Sequence, residues 1–183
     1  MEQDITERCD TYAARILQRC EQLHMKIAAA ESLTGGLLAN AFVRIPGASN
    51  VFLGSAVTYD IHAKASILGV DHDLLEREGA VHPEVARQMA AATARLYDQP
   101  EYAGKVIGLS TTGVAGPGPD GDKPAGLVYI GVSLPSADGV LTSRHTCARE
   151  LHLDGDRPQV RQLSVLRILE TLDDELAAFH HCA

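Results

Sequence analysis

Apolar residues recur over the first two dozen positions with the spacing of a single helix face. Ile5, Cys9, Tyr12, Ala13, Ile16, Leu17, Cys20 and Leu23 fall on one stripe. The pattern predicts an amphipathic helix packed by that face. It then changes: Lys26 to Ala30 is a short, mostly apolar run of the kind expected of a buried strand, and it leads directly into Glu31-Ser32-Leu33-Thr34-Gly35-Gly36. Beyond the glycines, Leu37, Leu38, Ala41, Phe42 and Ile45 restore helical spacing until Pro46-Gly47 ends it. Strand, polar glycine-containing turn and helix in succession is the local plan of an α/β active-site loop.

The alternation continues. Val51 to Tyr59 predicts a strand, followed by a short helix holding Ala63, Ile67 and Leu68 and closed by Gly69. His82-Pro83-Glu84 opens a further helix, with proline near its first turn, that carries Val85, Met89 and Leu96 inward. Lys105 to Ser110 and Gly126 to Leu134 predict two strands. Between them, Thr112 to Pro124 is so rich in glycine and proline that it reads as a long loop continuing neither. Val140 to Leu153 predicts another strand. The last helix has Asp156 as its cap, Pro158 in its first turn, and Val160, Leu163, Leu166, Leu169, Leu172, Leu176 and Phe179 on its buried face. Strands interleaved with helices, without repeat or linker, predict one three-layer α/β/α domain over residues 1–183 around a central mixed sheet.

Composition narrows the class. Sixteen basic against 24 acidic residues leave a formal charge of −8, and the basic residues are scattered, so the chain lacks the electrostatic footprint of a nucleic-acid binder. No run approaches the ~20 apolar residues of a membrane span. The start is too polar and acidic for a signal peptide, so the expected location is the cytoplasm. Cys9, Cys20, Cys147 and Cys182 form no CxxC pair and are expected to be reduced, structural thiols. The histidines show no HxH or HxxxH spacing. His72, His180 and His181 read as surface positions and His82 as a helix-start residue, so no metal site is expected.

Three places concentrate residues able to do chemistry. Ser32, with Thr34, Gly35 and Gly36, puts a hydroxyl and backbone amides at a helix start, where they would hold an anion or a developing oxyanion, or else simply form a capped turn. Thr58 and Tyr59, with Lys64, stand at a predicted strand-to-helix junction. Lys64 would act as a base only if burial or nearby positive charge lowered its proton affinity; otherwise it is a solvated lysine beside a core tyrosine. Gly113, Gly116 and Gly118 would cradle a phosphate or form a connecting turn, and the loop matches neither the Walker nor the dinucleotide pattern. Near the last helix, Arg157 and Arg161 would bind phosphate or pair with Asp154 and Asp156.

Taken in order, Ala30-Glu31-Ser32-Leu33-Thr34-Gly35-Gly36, Ile45-Pro46-Gly47-Ala48-Ser49, Val57-Thr58-Tyr59 to Ala63-Lys64 and Leu68-Gly69-Val70 resemble the CinA C-terminal domain family. So do Gly79-Ala80-Val81, Thr112 to Pro117, Lys123 to Gly126 with Val128 to Gly131, and Gly155-Asp156-Arg157 with Arg161. The resemblance runs from about residue 10 to 175. It implies a three-layer α/β/α domain and nicotinamide mononucleotide deamidase activity, which releases ammonia and nicotinic acid mononucleotide without a metal or cofactor.

Carried over motif by motif, the resemblance makes Ser32 the nucleophile, Lys64 its general base and Tyr59 a group that positions them or relays a proton. Glu31, Thr34, Gly35, Gly36, Thr112, Gly113 and Arg157 would border the substrate. It also implies a homo-oligomer acting on a small nucleotide. Two departures stand out: Leu33 replaces the family's usual cysteine, and Asp60-Ile61-His62 replaces its Ser-Asn-Glu. The second leaves an alternative open, an altered paralogue that binds a nucleotide in a regulatory role.

Overall fold

The computed structural model describes residues 2–136 and 144–179. Five strands form one sheet in the order β2-β1-β3-β4-β5. They are β1 (Lys26–Glu31), β2 (Phe52–Val57), β3 (Val106–Gly113), β4 (Leu127–Pro135) and β5 (Arg144–His152). β1 runs parallel to both β2 and β3, whereas β3, β4 and β5 pair antiparallel, so the sheet is mixed.

Side-chain alternation along β1 separates the two faces. Ile27 and Ala29 join the core built by α1 (Glu2–Gln22), α2 (Leu37–Val43) and α6 (Arg157–Phe179). Ala28 and Ala30 face the other layer. That layer holds α3 (Ile61–Leu68), α4 (His72–Glu78) and α5 (Pro83–Leu96). α5 lies unusually close to the sheet because two facing strand residues have no side chain. A Cβ on Gly108 would sit 1.9 Å from Ala90 O, and one on Gly131 would sit 2.5 Å from Ala86 O. Thr93 and Ser110 hydroxyls complete the seam by donating to Ala29 O and Ala86 O.

This topology creates the crevice. From β1 the chain passes through α2 on one face to β2, then through α3, α4 and α5 on the opposite face to β3, on the other side of β1. The carboxyl end of β1 is therefore the point where the connections diverge, the position at which open α/β sheets bind ligands. Ser32 is the residue immediately after that end.

Several expectations need correction. α4 was not legible as a helix, because it has one turn-capping Asp71 and only two buried apolar residues, Leu74 and Leu75. β3 continues through Thr112 and Gly113, which pair with Tyr129 and Val128 of β4, so the loop begins only at Val114. Leu96, at the last turn of α5, is 48% exposed rather than inward. Asp156 does cap α6, accepting from Gln159 N at 3.0 Å. Cys9 and Cys20 are buried free thiols and Cys147 is half-buried. Val140 to Ser143 of the predicted fifth strand, and Cys182, His180 and His181, lie outside the described residues.

Candidate active site

Lys64 is the largest charged side chain taken wholly out of water, with 0% of its surface exposed. It reaches from α3 across the end of the sheet. Its Nζ lies 3.1 Å from Ser32 Oγ, 2.6 Å from Thr58 O and 3.4 Å from Tyr59 O. Burial pushes the amine down from its ordinary 10.5 to about 8, against an opposing pull from the Asp60 carboxylate. The stereochemistry of these partners is directional. Carbonyl oxygens only accept, so they take the two N–H bonds of a neutral amine and leave its lone pair for the Ser32 hydroxyl.

Ser32 is held from three sides. Its amide donates to Thr111 O on β3 at 3.0 Å, and its carbonyl accepts from Gly35 N at 3.1 Å. Behind it, Glu31 is completely buried and accepts five hydrogen bonds: from Thr34 Oγ1, Gly36 N, Leu38 N, Ala39 N and Ser55 Oγ, all between 2.7 and 3.0 Å. Gly36 stands at the cap of α2 and has no side chain to satisfy that helix's first amides. The carboxylate of the preceding strand does so instead, and its negative charge suits the helix N-terminus.

These contacts revise the substrate-bordering set. Glu31, Thr34 and Thr112 are fully buried. Their polar atoms are engaged inside the protein, Thr34 with Glu31 and Thr111 and Thr112 with Ala80 O, so they shape the site rather than face a ligand. Gly113 is glycine because a Cβ would sit 2.6 Å from Leu127 O, a strand-packing reason rather than a phosphate cradle. The amides of Gly35 and Gly36 are spent on Ser32 O and Glu31. Among the described residues, the amides of Leu33 and Thr34 have no such partner.

Tyr59 is not a core residue, and its hydrogen bond with Lys64 is made by its backbone carbonyl. Its side chain is exposed, and its hydroxyl accepts from Arg157 Nη2 at 3.0 Å. Arg157 also donates to Gly116 O at 2.6 Å, tying the β2–α3 junction to the glycine-proline loop. Arg161 donates through Nε to Leu33 O at 2.8 Å and through Nη2 to Thr34 O at 2.9 Å. Both arginines thus grip the loops of the site rather than Asp154 or Asp156.

Sequence reading placed Thr58 in the junction motif but gave it no role; its carbonyl is the closest partner of the amine, and a backbone acceptor leaves no mark on residue identity. On α4, exposed His72, Asp73 and Glu76 bring one ligand atom each within 4.8 Å of one another.

Fold and site together define a three-layer α/β protein with a buried serine-lysine pair at the divergence point of its sheet. Residues 9–176 match the CinA C-terminal domain, and the chain belongs to that family. It is 43% identical over 169 residues to a CinA-like protein of Frankia casuarinae, covering 92% of this chain and 36% of that one. The chain spans about a third of the length of the curated relatives it matches. Among solved structures, the competence/damage inducible protein CihA from Agrobacterium tumefaciens superposes with a TM-score of 0.80 at 31% identity, over 93% of this chain and 96% of that one. A competence-damaged protein (CinA) superfamily protein from Escherichia coli gives 0.75 at 29% identity, over 90% and 88% of the two chains. No helix among the described residues is long and apolar enough to cross a membrane.

Proposed function

We propose that this chain is an amidohydrolase that converts nicotinamide mononucleotide to nicotinic acid mononucleotide and ammonia. The observation that carries the reading is the buried Lys64 amine 3.1 Å from the Ser32 hydroxyl, oriented by two backbone carbonyls. A regulatory nucleotide-binding module would have no use for a costly buried amine directed at a serine.

In the proposed reaction, Lys64 takes the Ser32 proton as Oγ attacks the carboxamide carbon. The resulting oxyanion is received by the free amides of Leu33 and Thr34. Collapse breaks the C–N bond, and the proton returns from Lys64 to the departing nitrogen, which leaves as ammonia. Water, deprotonated by the same amine, then cleaves the acyl-serine ester to release the carboxylate. Arg157 and the loop at Gly116 supply the polar rim for the nucleotide. The same reading makes the chain a cytoplasmic homo-oligomer that takes a small nucleotide and no nucleic acid.

The test is direct. Folded protein incubated with nicotinamide mononucleotide should release ammonia and nicotinic acid mononucleotide in equal amounts, and Ser32→Ala should abolish both. No turnover by the folded wild type, or unchanged turnover in Ser32→Ala, overturns the reading.

A further inference from the structure

Ala30 of β1 pairs with Ala56 of β2, and both belong to the apolar cluster beneath α3, α4 and α5. Two residues further along each chain stand Ser32 and Thr58, so strand alternation carries their side chains to the side of the sheet from which Lys64 approaches. The backbone of Thr58 is fully engaged: its amide donates to Glu31 O at 3.0 Å and its carbonyl accepts from Lys64 Nζ at 2.6 Å. Its side chain is not. Thr58 is 1% exposed, and among the described residues its Oγ1 has no hydrogen-bond partner. Thr112, the corresponding residue of β3 on the other flank of Ser32, spends its hydroxyl on Ala80 O at 2.7 Å.

Shape does not require this hydroxyl, since valine fills the same volume without burying a polar atom. The neighbouring amine supplies a reason for it. On taking the Ser32 proton, Lys64 becomes an ammonium with three N–H groups, and its partners among the described residues are Ser32 Oγ and two carbonyls, none of them a carboxylate. Thr58 O at 2.6 Å is a close acceptor and Tyr59 O at 3.4 Å a distant one. One N–H is thus short of an acceptor at the moment the charge appears. Thr58 Oγ1 is tied to the close carbonyl through its own Cβ, which keeps it within about 5 Å of that oxygen in every rotamer. Charged groups of the surrounding elements are committed elsewhere: Glu31 of β1 to five donors, Asp60 to the cap of α3, Arg157 and Arg161 of α6 to Tyr59, Gly116, Leu33 and Thr34, and His82 to the cap of α5.

We propose that the Thr58 hydroxyl is the third member of the serine-lysine site: it accepts an N–H of Lys64 when the amine takes up the Ser32 proton, and steadies the ammonium until that proton passes to the leaving nitrogen. The inference rests on the amidohydrolase reading for its catalytic meaning, while the hold on the protonated amine stands without it. Thr58 acts as a positioning residue, since its influence on the reaction passes through Lys64.

Thr58→Val removes the hydroxyl and keeps the shape and the carbonyl, whereas Thr58→Ser keeps the hydroxyl and drops only the methyl group. The first readout is nuclear magnetic resonance titration of protein labelled with 13C at lysine Cε, which holds only Lys26, Lys64, Lys105 and Lys123. The Lys64 signal is assigned by its loss in Lys64→Met. Removing an acceptor of the charged form favours the neutral amine, so the wild-type midpoint near 8 should drop by at least about half a unit in Thr58→Val. In kinetics at pH 9, where the amine is largely free in each protein, the same variant should lose about tenfold in kcat with KM little changed. Thr58→Ser should recover most of both effects.

At pH 10, with Lys64 neutral, the hydroxyl has no bond to lose, and Thr58→Val should melt at or above the wild-type temperature. A fall in Tm of more than about 4 °C at that pH, or failure to fold, means that the hydroxyl serves a structural bond, and overturns the inference. So does a Thr58→Val midpoint within about 0.2 unit of wild type, or an equal shift in Thr58→Ser. Titration and melting need no substrate. Ammonia release by the wild type decides the amidohydrolase reading separately, and where it occurs the acid limb of the kcat profile should move with the titration midpoint.

Discussion

Lys64 combines a full charge with complete burial, and the combination has a thermodynamic signature. Its folded-state proton affinity is depressed from 10.5 to about 8, so between those values the unfolded chain binds more protons than the folded one. Stability therefore rises with pH across that window, and below about 8 the protein carries the full desolvation cost. Lys64→Met keeps the apolar stem and removes the ion. At pH 7 it should be more stable than wild type by about 1–3 kcal/mol, the lower figure allowing for the carbonyls of Thr58 and Tyr59 losing their donor. Urea unfolding at pH 7 and pH 10 checks this, since the gap should shrink at the higher pH. The same variant should lose roughly 10²–10⁴-fold in kcat, the usual contribution of a general base.

Glu31 is the opposite case, a buried ion whose hydrogen-bonding capacity is fully met. Glu31→Gln removes the charge and turns an amide NH2 toward groups that are themselves donors. A loss of about 2–3 kcal/mol is expected, together with a fall in kcat as the Ser32 turn loosens. Thermal denaturation with kinetics on the folded fraction separates the two effects.

At the scale of elements, the site is a meeting of β1, α3 and α6, and only part of that meeting was legible in the chain. Ser32 stood out as a hydroxyl in a polar, glycine-bearing turn after a short apolar strand, but that pattern equally allowed a plain capped turn, and only the resemblance marked it as a reacting group. Lys64 was recognisable only through the resemblance, since spacing alone allowed a solvated lysine; burial depends on how α3 packs over the sheet end. Tyr59 touches the amine through its carbonyl, while its hydroxyl meets Arg157, a division that residue type does not reveal. Glu31 and Gly113 were assigned to the ligand because a motif marks both architectural and reacting residues alike.

Arg161 shows what α6 adds to the site. Its fork spans the carbonyls of Leu33 and Thr34, leaving their amides available, and lysine cannot reproduce that planar two-point contact. Arg161→Lys should therefore fold normally yet lose about tenfold or more in kcat, with a smaller effect on KM, because a small displacement at a reacting centre is costly. Steady-state kinetics with a circular dichroism control would check the split. An equal loss in a distant surface arginine would argue against a positioning role.

For the whole molecule, the sheet supplies the site and the two longest helices supply much of the cohesion behind it. α1 and α6 pack their apolar stripes together, and Ile16, Cys20, Leu169, Leu172 and Leu176 are all completely buried. A buried carboxylate intrudes on this seam. Asp173 is only 8% exposed and receives Arg15 through Nε and Nη2 at 3.0 and 2.5 Å and Arg19 through Nη1 at 2.8 Å. Removing the carboxylate strands two guanidinium groups beside each other. The full 3–5 kcal/mol penalty of a broken buried pair does not apply, because the Arg15 and Arg19 side chains remain 43% and 29% exposed and recover hydration. Asp173→Ala should cost about 2 kcal/mol, and since each kcal/mol moves the Tm of a domain this size by about 2–4 °C, the transition should drop about 4–8 °C. Turnover measured well below that transition should be unchanged, because the Asp173 carboxylate bonds to Arg15 and Arg19 of α1 while Ser32 and Lys64 are held by β3 and the segment between β2 and α3. A loss of activity without a loss of Tm would mean that the helical seam and the site are coupled through α6, where Arg161 already reaches the turn after Ser32.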